Sequence, residues 1–184
     1  GFPLAPDLPT GLLPDAVLKD EPYPVKAIFV QSTNPVMSDP DTERVQEMFR
    51  HLELGVAIDL YMSETALECD LVLPETSFYE HAEIRQGLWK GPEVVIAQPV
   101  VSPVGESRPL YDIVKGIAEK MGWGEHFSYN KWQDWAEVAM APMPISLEEL
   151  RSKGFWAGEV KYGKAAKGLP TPSGKIEIYS QAFA

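Results

Sequence analysis

The sequence predicts an α/β fold, a three-layer Rossmann-like domain on a mostly parallel sheet, and three observations carry that expectation. Short apolar runs at Val25–Val30, Leu54–Asp59 and Asp70–Leu73 have the character of strands buried on both faces of a parallel sheet. Between the first two lies an amphipathic segment with apolar residues at Val45, Met48, Phe49 and Leu52, the i, i+3, i+4, i+7 spacing of a helix face. Each apolar run ends in a cluster of polar or turn-forming residues. Strand, loop, helix, strand, helical turn, strand is the order of a right-handed parallel βαβ layout.

The first 24 residues hold six prolines and little periodicity, and read as an irregular lead-in or a packed arm without regular helix. The strand at Val25–Val30 follows, then the polar loop Gln31-Ser32-Thr33-Asn34-Pro35. The next helix is punctuated by Asp39 as N-cap, Pro40 in the first position, and Asp41 and Glu43 in the first turn. Met62–Leu67 predicts one or two helical turns with a hydroxyl N-cap, and Pro74 stops the third strand. Val94–Val101 predicts a further strand. Pro109 opens a helix whose stripe is Leu110, Ile113, Val114, Ile117, Ala118 and Met121, closed by Gly122. Trp132, Trp135, Ala136 and Ala139 suggest another helix. Ser146–Glu149 is a capping box for a short helix ending at Gly154. Thr171–Gly174 is a turn before an alternating strand, Lys175–Tyr179. The domain division expected is 1–24 lead-in, 25–170 α/β domain with a helical part at 107–154, and 171–184 as the start of a further domain.

Charge and composition exclude several classes. With 16 basic and 27 acidic residues the net charge is −11, which repels nucleic-acid backbones and anionic lipid, so neither nucleic acid nor membrane insertion is expected. A single phosphate in a cleft is not excluded, because backbone N–H groups bind it locally. Cys69 is the lone cysteine, and His51, His81 and His126 are scattered, so neither a thiolate cluster nor a metal site is expected within the chain. No GxGxxG, GxxxxGK[ST] or GxSxG motif is present.

The residues that can carry chemistry gather after the strands. Ligands of open parallel sheets sit beyond the carboxyl ends of the strands. There Ser32, Thr33 and Asn34 offer short polar groups and Pro35 stiffens the exit, although the same loop would serve simply to connect strand to helix. A carboxylate at the end of a buried strand, Asp59, can accept two parallel hydrogen bonds from ribose hydroxyls or from the N1–H and N2–H donors of guanine. It would equally serve as a turn aspartate. Ser63 and Thr65 suit phosphate or sugar oxygens at a short helix N-terminus, or the orphan N–H groups there. Glu64 disfavours a phosphate on top of it and is expected to point away or to bond backbone. Glu80-His81 is the nearest approach to an acid/base pair, with solvated surface as the simpler expectation.

Taken in order, Ser32-x-Asn34-Pro35 after a strand, Asp59, Ser63-Glu64-Thr65-Ala66, Asp70-Leu71-Val72-Leu73-Pro74-Glu75 and Glu80 form a compound pattern. It resembles the molybdopterin oxidoreductase family of the dimethyl sulfoxide reductase type. The likeness resumes at Gly105–Pro109 and Thr171–Glu177. Within the family it is most similar to thiosulfate and polysulfide reductase catalytic subunits, on the PYPVKAIFV opening, Tyr79-Glu80 and Gln98–Val101. The resemblance implies the third, α/β domain of such an enzyme, binding one arm of molybdopterin guanine dinucleotide. It implies that Ser32, Asn34 and Pro35 lie by the cofactor phosphates or sugar, that Asp59 faces the guanosine, and that Ser63 and Thr65 line the same cleft. No catalytic residue and no metal ligand is expected here. Molybdenum or tungsten, and any iron–sulfur cluster, would be held by parts of the parent enzyme outside the chain. Cys69 stands where a small residue such as alanine is usual, so it reads as a buried small side chain.

The partners implied are the remaining domains of the parent enzyme and an iron–sulfur electron-transfer subunit. The reductase likeness favours a periplasmic parent. Two alternatives stay open: a free-standing nucleotide-binding module without redox activity, and a subunit-interaction domain using the tryptophan-rich stretch Trp123–Trp156.

Overall fold

The structure is a computed structural model describing residues 10–86, 93–127, 129–159, 168–169 and 171–178. It divides into two compact units, residues 1–83 with 97–139, and residues 84–96 with 140–184.

The first unit is built on a parallel sheet of β1 (Ala27–Gln31), β2 (Leu54–Asp59) and β3 (Leu71–Pro74), in that spatial order. Register pairs Phe29 with Val56 and Val56 with Leu71, and at the carboxyl end Gln31 with Ile58 and Asp59 with Pro74. Side chains alternate across a strand, so Ile28 and Val30 face one way while Ala27, Phe29 and Gln31 face the other. The first face is closed by α1 (Leu13–Leu18) and α3 (Thr42–His51). Its core joins Val17, Val30, Val36, Val45, Met48 and Phe49, with Leu13, Val25, Ile28, Leu52 and Cys69 at its margin. The stripe expected on α3 is therefore the stripe that is buried.

Three local expectations need correction. The proline-dense lead-in is not irregular throughout, because a 3₁₀ turn at Thr10–Leu12 runs into α1. Pro14 falls in the first helical turn, where no intrahelical N–H is required. The helix after the first loop does not start at Asp39. Pro35–Ser38 forms a separate turn, α2, and the chain then extends through Asp39 before α3 begins. Asp41, left-handed at φ 62°, is the N-cap, and its carboxylate accepts the Arg44 N–H at 3.3 Å. Aspartate tolerates that conformation better than most residues. Beyond β3, Arg108 pairs in parallel with Glu75: Pro74 O accepts Arg108 N–H and Arg108 O accepts Thr76 N–H, both at 3.1 Å. The chain then enters α5 (Leu110–Lys120), on which Ile113 and Ala118 are buried while Val114 and Met121 are exposed.

The second unit holds β5 (Glu93–Ala97) as the middle strand between β4 (Glu83–Gln86) and β6 (Phe155–Ala157). Val94 pairs antiparallel with Trp156, so the strand foreseen at Val94–Val101 is shorter and belongs to a separate sheet. The reason lies in its distant partner strand. Gly154, at φ 79°, ends α7 (Leu147–Lys153) and turns the chain straight back along β5. At the other end of α7 the capping box forms in both directions between Ser146 and Glu149. The helix α6 spans Trp132–Met140, with Ala136 fully buried.

The turn at Thr171–Gly174 forms, with the Gly174 N–H bonded to Thr171 O at 2.9 Å. Residues 175–178 make no strand, and Ile176 and Ile178 are fully open to solvent. A strand needs a partner edge, and none among the described residues pairs with them; Tyr179 lies outside the described residues.

Met48, 1% exposed at the centre of the first core, gives the first prediction. Met48→Ala should lower folding stability by about 2–5 kcal/mol through lost burial and the cavity left behind. Glu47→Ala on the exposed face of the same helix should change it by less than about 0.5 kcal/mol. Urea unfolding followed by far-UV circular dichroism measures both.

Candidate functional site

Parallel strands send all their carboxyl ends to one edge, and that edge gathers the loops after β1, β2 and β3. The first loop begins at Ser32, whose N–H donates to Ile58 O at 3.1 Å, continuing the ladder one step past the strand. Ser32 is left-handed at φ 48°. For a residue with a Cβ this costs about 1 kcal/mol or more, and such positions concentrate at functional sites. Its hydroxyl donates to Glu75 Oε2 at 3.0 Å, and the Gln31 amide donates to the same oxygen at 2.9 Å.

Asn34 spends its whole side chain on the second loop. Its Oδ1 accepts the Thr65 hydroxyl at 2.7 Å and the Thr65 N–H at 3.2 Å, and its Nδ2 donates to Glu64 Oε2 at 2.7 Å. Thr65 Oγ1 in turn accepts the Val36 N–H at 3.1 Å. This hydroxyl is therefore both donor and acceptor, and Thr65 is 0% exposed. The knot packs α2 against α4 (Glu64–Leu67). Pro35, half-buried, is the first residue of α2, where its missing N–H leaves nothing unsatisfied.

Asp59 stands at the end of β2. Its Oδ1 accepts the Leu60 N–H at 2.7 Å, and its Oδ2 accepts the Ser63 hydroxyl at 3.0 Å. Ser63 Oγ accepts the Ala66 N–H at 3.3 Å and so caps α4. Ser32 is exposed, while Asn34, Asp59 and Ser63 are half-buried. Five of the six residues singled out in the sequence, Ser32, Asn34, Pro35, Asp59 and Ser63, thus lie along one edge. Thr65 departs from its expected place: it lies beneath the edge instead of lining a cleft, because both functions of its hydroxyl are used internally.

The sequence reading missed Glu75 and Gln31 as members of this edge. The available signal was register: Glu75 follows the residue paired with Asp59, and Gln31 ends β1. Glu64 neither points away nor relies on backbone alone. The Asn34 amide holds its carboxyl below the ordinary value of 4.5, assisted by the Glu64 backbone N–H and opposed by burial. Glu80 and His81 are not free surface either. Glu80 accepts the Ser77 N–H at 2.7 Å and the Val104 N–H at 2.8 Å, bonds that lower its pKa, the Ser77 contact most. His81 Nδ1 lies 2.9 Å from the buried Thr76 hydroxyl. These contacts tie loops together and form no acid/base pair. Cys69 packs beside Gly55, where an added Cβ would meet its Sγ at 3.6 Å. Burial first, then Asp70 and Glu68, push the thiol up to about 11, so it stays protonated. Among the described residues no group of three or more His, Cys, Asp or Glu could hold a metal ion.

Hydroxyls, an amide and carboxylates thus stand along the carboxyl edge of the parallel sheet of an α/β unit. Comparison with known proteins names the family. The description "Molybdopterin oxidoreductase" matches residues 11–120, and the chain belongs to that family. It is 30% identical over 178 residues to acetylene hydratase of Syntrophotalea acetylenica, covering 95% of this chain and 24% of that protein. It is 28% identical over 194 residues to the thiosulfate reductase molybdopterin-containing subunit PhsA of Salmonella typhimurium, covering 90% of this chain and 26% of that protein. The solved acetylene hydratase from Pelobacter acetylenicus superposes with a TM-score of 0.75 at 30% identity, over 93% of this chain and 24% of that one. The chain spans about a quarter of the length of these relatives, so further domains of a parent protein are implied.

The family implies a molybdopterin cofactor carrying molybdenum or tungsten, and the donor set at the edge fits its organic part. Pterin and guanine both present N–H donors side by side, which carboxylate oxygens accept in pairs. Asp59, Glu64 and Glu75 supply such oxygens. No Lys or Arg lies in residues 27–43 or 54–67, so the loops after β1 and β2 offer no cationic seat for pyrophosphate.

Two tests follow. Thr65→Val leaves the Val36 N–H without a partner and Asn34 Oδ1 with the residue-65 N–H alone, and should cost about 1–3 kcal/mol in urea unfolding. Thr65→Ser should recover most of that. The Asn34–Glu64 tie has a lowered carboxyl pKa. It is therefore fully present above the ordinary carboxylate value and lost as pH falls through the lowered one. The Asn34 side-chain amide protons should exchange faster on acidification past that range and show no such loosening on the alkaline side of it, as read by amide NMR.

Proposed function

We propose that this chain is a cofactor-holding part of a molybdopterin-dependent oxidoreductase, and that the cofactor is the guanine dinucleotide form. The observation that carries the reading is the carboxyl edge itself, where Ser32, Asn34, Asp59 and Ser63 share one hydrogen-bonded surface in a chain of this family. Asp59 accepts from the guanosine end, Ser63 from the same side, and Ser32 with Pro35 shapes the sugar seat. Asn34 and Thr65 position the two loops from beneath. Because Glu64 and Glu75 bond directly to Asn34 and Ser32, this edge suits sugar hydroxyls better than phosphates. Pyrophosphate is then neutralised by groups of the parent that lie elsewhere.

When bound, the cofactor supplies a metal centre for two-electron transfer to or from a small inorganic or sulfur compound. This chain contributes orientation and no catalytic residue. The relatives are named for unlike reactions, a hydratase and a thiosulfate reductase among them. What such proteins share in this segment is accordingly the grip on the cofactor, and substrate choice belongs to other segments. In this reading electrons reach the parent from an iron–sulfur subunit, and the reductase likeness favours a periplasmic location.

The test is made in the full-length parent. Asp59→Asn removes one charged acceptor and gains a donor that clashes with guanine N–H groups. Guanosine released per protein by acid hydrolysis should fall roughly 10-fold or more, the scale of a charge-assisted hydrogen bond. Glu47→Gln, on the far side of the core, should leave the content unchanged. Equal guanosine content in the two variants would sink the assignment of Asp59.

A further inference from the structure

In an all-parallel sheet both faces are normally covered, yet here they are treated unequally. One face is closed by α1 and α3. The other carries Phe29, Leu54 and Leu71, which remain 51%, 39% and 48% exposed. Between this face and α5 lies a cavity of about 570 Å³, lined by these residues with Val56, Ile113 and Ile117. Helix α5 follows the Arg108 pairing outside β3, and so stands over the β3 side. β1, at the sheet edge in the order β1-β2-β3, has no helix over its Phe29 face among the described residues. Gly116 on α5 also borders the cavity, and a Cβ built there would meet nothing within 4 Å.

An apolar groove flanked by a sheet face on one side and a helix on the other has the shape that a second helix fills. Helix axes pack about 8–10 Å apart, and a bare glycine lets them approach at the closer end. The rim holds both signs of charge, Glu106 and Asp112 with Arg108 and Lys120, matching the mixed polar face of an amphipathic helix. The relatives extend to about four times this chain's span, so polypeptide able to supply the helix exists in the parent.

We infer that the Phe29–Leu54–Leu71 face and the Gly116 side of α5 form the docking groove for an amphipathic helix from another domain of the parent protein, laid beside α5 over β1 and β2. The inference rests on the parent-enzyme reading but uses none of the carboxyl-edge residues. A monomeric surface rarely leaves an apolar groove of this size uncovered. The groove accordingly carries an interdomain role for the chain's second sheet face, separate from the cofactor edge.

Thiol labelling tests it. Phe29→Cys and, independently, Leu54→Cys are placed in the 184-residue chain and in the full-length parent, and reaction with a chromogenic disulfide is followed. In the chain, native Cys69 gives a slow background because its thiol stays protonated. Both new thiols should react at least ~100-fold more slowly in the parent than in the chain, the protection expected of a stably packed surface. That protection should persist in parent purified without cofactor, whereas loss of guanosine binding would leave the labelling ratio unchanged. Equal rates in parent and chain for both positions overturn the inference. So does equal protection in the chain accompanied by dimer in sedimentation, which would make a second copy the occupant.

Discussion

The side chain of Asn34 is the constraint on which the edge depends. Its carbonyl oxygen receives two donors from Thr65 and its amide reaches Glu64, so one residue on the first loop fixes the start of α4 on the second. Thr65 returns the link by accepting the Val36 N–H. With Thr65 fully buried, its own bonds to Asn34 and Val36 are screened from water and worth more than their exposed equivalents, whereas the Asn34–Glu64 bond lies at the surface. The geometry of Ser32, Asp59 and Ser63 follows from it, since each hangs on a loop whose position the knot sets.

Below the knot the chain satisfies ordinary packing rules. The α3 stripe meets Val30 and Val36 in one core, and the parallel register brings Gln31, Asp59 and Glu75 to the same end. Above it the rules are bent. Ser32 takes a positive φ, and three carboxylates stand along one short edge. Such local conflict is expected where ligand recognition outweighs local preference.

The strands and their order were legible because period and punctuation agree there: Leu54–Asp59 is both apolar and bounded by turn residues, and β2 spans those same residues. The stripe Val45, Met48 and Phe49 was legible for the same reason. The start of α3 was not, because two proline-containing starts, Asn34-Pro35 and Asp39-Pro40, compete within seven residues and only tertiary contacts decide between them. The edge was legible in part of its membership, Gln31 and Glu75 being missed, and not in its wiring. That Thr65 is buried, or that Glu64 bonds an amide, depends on a contact across some thirty residues, which no local pattern encodes. The antiparallel pairing of β5 depended likewise on a glycine nearly sixty residues away. The family pattern supplied what periodicity could not, since its residues follow neither the helix nor the strand repeat.

The acidic character of the edge has a consequence for competition. A cell holds nucleoside triphosphates in large excess over any pterin dinucleotide, and those molecules carry the same purines. Glu64 and Glu75 sit against Asn34 and Ser32, so a bare polyphosphate tail approaching these loops would meet like charge, and the loops after β1 and β2 carry no lysine or arginine to offset it. A ligand enters favourably only if its phosphates are received elsewhere, by a second surface at the right distance. On the proposed reading the edge is one half of a two-key lock: it receives base and sugar, and the length of the bridge to the other half excludes the abundant nucleotides.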